Sequence, residues 1–106
     1  MDISGIYIHD GRLLKVVEDA ESVTVTMWCE LPASEWSDDW VPRLLIFDNV
    51  SNYLVCEGPI AGCPILLDMK IVGERDGRSH MRIDTTAGYR ELDCTTVRIS
   101  DRKHAA

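Results

Sequence analysis

Carboxylates are the side chains in this chain best placed to do chemistry. Asp68, Asp84, Glu91 and Asp93 fall in one stretch, Pro64 to Cys94, where apolar and polar residues alternate. Carboxylates on rigid strands can hold a divalent ion through oxygen, or divide acid and base roles between them. Pairing Met69 with Ile83, and Ile83 with Leu92, sets Asp68, Asp84 and Glu91 in one outward row. Lys70, Arg82 and Asp93 then form the next row. In this arrangement Asp68, Asp84 and Glu91 are the candidate metal ligands of a small metal-assisted hydrolase. Diagonal neighbours weaken that reading, because Arg82 falls near Asp68 and Lys70 near Asp84. A charged outer face is also what a half-buried sheet ordinarily shows. No metal and no cofactor are therefore expected.

Histidine and cysteine add little to this. His9-Asp10 has the letters of a metal-binding pair, but such enzymes need further His and Asp ligands on helices. Here the other histidines are His80 and His104. His80 is expected in a row with Val72 and Thr95, with no nucleophile at a recognisable spacing. Cys29, Cys56, Cys63 and Cys94 contain no C-x-x-C and match no common zinc module. Cys29 and Cys94 fall on inward positions and read as small core residues. The roles of His9 and Cys63 stay open. No G-x-S-x-G, P-loop or dinucleotide fingerprint is present.

The most suggestive stretch outside the strands is Pro32-Ala-Ser-Glu-Trp-Ser-Asp-Asp-Trp-Val-Pro42. From Glu30 to Pro42 there are four carboxylates, two Trp and no Lys or Arg. Trp36 and Trp40 share a face if residues 34–40 form a helical turn or two with Ser34 as N-cap. Large rings beside carboxylates suit a basic protein surface. The candidate partner-binding residues are Glu35, Trp36, Asp38, Asp39 and Trp40. The competing structural role puts both rings at one end of the core and leaves the carboxylates in water.

The elements that position these residues are strands. Residues 3–8 and Leu13 to Glu18 read as two short strands separated by a turn at His9-Asp10-Gly11-Arg12. Val23, Val25, Met27 and Cys29 alternate with polar residues, a clear half-buried strand. Leu31 to Pro42 is an irregular connection. Arg43–Phe47 and Asn52–Glu57 read as a strand pair joined across Asp48-Asn49-Val50-Ser51. Apolar residues on both faces of Leu44–Phe47 mark a central strand of two layers. Gly58 to Pro64 reads as a crossover between layers.

In the meander, Arg75-Asp76-Gly77 is expected as a three-residue loop, with Gly77 supplying the left-handed position. A four-residue loop is expected around Ala87-Gly88, opposing Met81 to Cys94. The apolar phase breaks after Cys94, which reads as a bulge near Thr95-Thr96 and an edge strand to Ser100. Residues 101–106 are expected to fray. The fold expected is all-β: an antiparallel β-sandwich or strongly curved sheet built from hairpins and a C-terminal meander.

At 106 residues the chain is expected to be a single domain. Its net charge of −7 disfavours nucleic acid and anionic membranes, and is compatible with a basic protein partner. No basic leader or long apolar run is read at the start, so a cytoplasmic location with reduced cysteines is expected.

The order of motifs resembles a group of small bacterial domains, some of them grouped with immunity proteins of polymorphic toxin systems. The resemblance rests on His9-Asp10-Gly-Arg-Leu-Leu, on Leu-Leu-Ile-Phe-Asp-Asn-Val (44–50), and on the closing meander. That meander runs from Ile-Leu-Leu-Asp-Met-Lys-Ile (65–71) to Tyr-Arg-Glu-Leu-Asp-Cys (89–94). It implies an all-β fold and hands over no catalytic residues. The function expected is a non-enzymatic protein-binding module of the immunity type, inhibiting a basic toxin. The metal-assisted hydrolase is the alternative. Self-association through the edge strand near Val97–Ser100 is compatible with either.

Overall fold

Alternating residues build eight strands in the computed structural model, which describes residues 1–101. They are β1 (Arg12–Asp19), β2 (Thr24–Pro32), β3 (Trp40–Asp48), β4 (Ser51–Glu57), β5 (Leu66–Arg75), β6 (Arg78–Thr85), β7 (Gly88–Cys94) and β8 (Thr96–Asp101). One antiparallel sheet runs β1-β2-β3-β8 and the other β4-β7-β6-β5. The second has Greek-key order, with β4 returning beside the β5-β6-β7 meander. The fold is thus an all-β sandwich of two four-stranded sheets. No described helix is long and apolar enough to cross a membrane.

Period two accounts for the core. Val25, Met27, Cys29 and Leu31 of β2 face Met81 and Ile83 of β6 and Leu92 and Cys94 of β7 in one buried cluster with Leu45 and Phe47 of β3. Cys29 and Cys94 are both buried, as their inward positions predict. Burial pushes the Cys94 thiol up to about 11, so it stays protonated. β3 lies between β2 and β8, so Leu44 is buried on its other face.

Several connections differ from the sequence reading. Residues 3–8 form no strand; Ile6 N–H donates to the Ile3 carbonyl in a turn, and both side chains pack on the core. β3 and β4 do not pair. The chain changes sheets between them, with Val50 N–H donating to the Val23 carbonyl. The break after Cys94 is the return crossing rather than a bulge: Thr95 N–H donates to the Asp48 carbonyl, and β8 then pairs with β3. Both crossings therefore sit side by side at one corner. Residues 58–64 join opposite edges of the same sheet instead of crossing between layers. β8 is an edge strand and reaches Asp101, which pairs with Arg43; the rest of the expected frayed tail lies outside the described residues.

The meander registers are half as expected. Met69 opposes Ile83 and Ile71 opposes Met81, but Asp76-Gly77 is a two-residue turn with φ of 54° and 77° at its centre. A register shift between Ile71 and Gly73 reconciles that turn with the buried face. In the next hairpin Met81 opposes Leu92 and Ile83 opposes Arg90, two residues from the expected register. Gly88 opposes Thr85, and Thr85 Oγ1 accepts the Ala87 N–H to hold a two-residue turn.

Candidate functional site

The Trp-containing connection is a β2–β3 hairpin loop. Pro32 opposes Trp40 as the last strand pair, and Ala33 N–H donates to the Asp39 carbonyl across the loop base. No helical turn of the expected length forms. Ser37 N–H donates to the Ser34 carbonyl and Asp39 N–H to Ser37 Oγ, so Ser34 closes a single tight turn. Trp36 stands at its tip with φ of 65° and is 93% exposed. Left-handed backbone at a bulky residue costs on the order of 1–2 kcal/mol. The exposed ring returns little burial in exchange. Trp40 is half exposed at the start of β3.

Beneath the loop lies a groove of about 580 Å³. Glu35, Trp36, Asp38 and Trp40 line one side; Asp39 closes the loop and does not line the groove. The other side comes from Tyr7, His9 and Asp10 and from Leu67 and Asp68 of β5. No Lys or Arg lines it. Outside the lining, Lys70 Nζ lies 3.9 Å from Asp68.

The His9-Asp10 turn is locked to the wall of this groove. Gly11 N–H donates to the Ile8 carbonyl and Asp10 N–H to the Leu66 carbonyl, while Leu66 N–H donates to Gly11 O. A Cβ on Gly11 would press on Leu31 and on the Ile8 carbonyl, so the turn needs glycine there. His9 Nδ1–H donates to the Leu67 carbonyl at 2.9 Å. That bond orients the ring and removes Nδ1 as a ligand.

The carboxylate row proposed from sequence is not formed. Asp68 opposes Asp84, but Asp84 opposes Tyr89, and Glu91 opposes Arg82. The two-residue register difference in the β6–β7 hairpin moves Glu91 out of the row. Arg82 Nε donates to Asp84 at 2.9 Å and holds that carboxyl below its usual range. Among the described residues no three His, Cys, Asp or Glu side chains converge to hold a metal ion.

The same register brings together a group absent from the sequence reading. His80 opposes Asp93 on β7 and Gly73 on β5, not Thr95 and Val72. Its Nδ1–H donates to Asp93 at 2.6 Å, and Nε2 lies 3.3 Å from Glu91. Asp93 is buried and also accepts from Asn52. The Asp93 hydrogen bond, with help from Glu91, raises the His80 pKa; the Asn52 and His80 bonds lower that of Asp93. Both imidazole nitrogens are engaged by carboxylates, which is the arrangement of a charge clasp and not of a free base.

Comparison with protein-family models, with curated proteins and with solved structures gave no match. The groove was missed from sequence for a physical reason. The Trp loop carried its own signal in rings and carboxylates, but its partners Tyr7, Asp10, Leu67 and Asp68 are distant in the chain. They meet it only because the Ile8–Gly11 turn clasps β5.

Proposed function

We propose that this chain is a non-enzymatic protein-binding module that takes a basic protein on the groove under the Trp36–Trp40 loop. Trp36 carries the reading. A large ring held 93% exposed on unfavourable backbone does little for the fold. It suits an anchor whose burial on a partner is worth ~2 kcal/mol or more. Asp10, Glu35, Asp38 and Asp68 around it favour cationic partner side chains and speed encounter. Inhibition of a basic toxin in the bacterial cytoplasm, in the manner of an immunity protein, is the role we assign to this binding.

The test is capture from the native host with immobilised wild type and with Trp36→Ala. Wild type retains a basic protein that elutes as salt is raised, and Trp36→Ala loses it with no fall in melting temperature. Equal capture by the two forms, or a Trp36→Ala chain with a lowered melting temperature, contradicts the proposal.

A further inference from the structure

A sheet edge is a template for another strand, and three of the four edges here are guarded. β1 carries Lys15 and Glu18, β8 carries Arg98 and Asp101, and β5 carries Lys70 and Glu74 together with two register shifts. β4 carries the least. It pairs with β7 alone among the described residues, its one charge, Glu57, is bound bidentately by Arg90 at 2.8 and 2.7 Å, and its one register shift falls between Ser51 and Leu54, before the exposed run. Leu54, Val55 and Cys56 are exposed in succession along it.

The hydrogen-bond phase of β4 can be read from its end. Gly58 N–H donates to the Ala87 carbonyl, in register with Glu57 opposite Gly88 and Cys56 opposite Tyr89. In an antiparallel ladder, bonded and non-bonded pairs alternate. Cys56 and Leu54 therefore bond to β7, and Val55 turns its N–H and C=O outward to the open edge.

We propose that two copies of this chain join through β4, antiparallel about a two-fold axis at Val55. Val55 then exchanges both backbone hydrogen bonds with its symmetry mate, and the two sheets continue into one. Leu54 faces Cys56 of the second copy across a non-bonded pair, where side chains approach most closely. Both residues share the outer face with Glu91 and Tyr89. A second copy is the occupant the strand fits, because this register is self-complementary and sets no charge against its like along the edge. An isologous contact of this kind closes at two and leaves the groove under the Trp loop to its own partner.

Sedimentation equilibrium of the full chain from micromolar to millimolar tests this. The expected result is a monomer–dimer equilibrium that tightens with salt, because each chain carries −7. Val55→Lys raises the dissociation constant about tenfold or more with melting temperature unchanged, while Ile99→Lys on β8 leaves it as it was. Leu54→Cys under mild oxidation gives a disulfide-linked dimer through Cys56 of the second copy, and wild type does not. A monomer throughout the range overturns the proposal. So does a dimer lost on Ile99→Lys but kept on Val55→Lys, an oligomer growing beyond two, or a Leu54→Cys chain that crosslinks no better than wild type.

Discussion

His80 lies against Asp93 and Glu91 of β7, with Asn52 and Arg75 acting on Asp93 from behind. Its pKa is raised above the ordinary 6.5, so its stabilisation is complete below that value. It is lost as pH climbs through the raised folded value. Asp93 runs the other way: its pKa is lowered from 3.8, so its contribution is complete above that value and fades as acid reaches the lowered one. Between these limits the clasp is intact. Urea unfolding of wild type is therefore expected to show falling stability as pH rises from 6.5 through the raised His80 value. His80→Gln removes that slope and leaves a smaller acid limb, which the Asn52 bond to Asp93 sustains. An unchanged slope in His80→Gln would refute the assignment. Trp36 shows the opposite economy at the same scale, since its conformation costs the fold and its ring stays in water.

Gly88 decides how one strand meets the next. It opens β7 with φ of 146°, and a Cβ there would collide with the Cys56 carbonyl. Gly88→Ala must therefore push β4 away from β7, at a cost of about 2 kcal/mol or more. Gly73→Ala, which meets open space, serves as the neutral control in the same denaturation series. Equal midpoints for the two variants would count against the close approach. Gly88 also shows what period two cannot report. The alternation fixed which face of β6 and β7 is buried, and Met81, Ile83, Leu92 and Cys94 all lie inside. A slip of two residues preserves every face, so Ile83 against Leu92 and Ile83 against Arg90 look alike in the letters. The turn chemistry of Thr85 and Gly88 settles it. Sheet membership is equally silent: β3 and β4 both alternate, and the short Asp48–Ser51 link reads as a hairpin. The hydrogen bond from Val50 to Val23 instead carries the chain into the other sheet.

Across the whole molecule, charge separates the two proposed associations. The groove is lined by carboxylates without Lys or Arg, so a basic partner binds less tightly as salt rises. The β4 edge is nearly neutral on a chain of −7, so self-pairing follows the reverse trend. The Trp rings supply three reporters for locating the partner. Trp36 and Trp40 flank the groove, whereas Trp28 lies on the outer face of the first sheet with Lys15 4.6 Å above its ring. The measurement that reaches the central claim most directly follows the three indole N–H resonances while the captured basic protein is titrated in. Trp36 and Trp40 should shift and broaden with the binding isotherm while Trp28 stays fixed. Movement of Trp28 alone, or saturation with the Trp36 and Trp40 signals unmoved, would contradict a partner seated under the Trp loop.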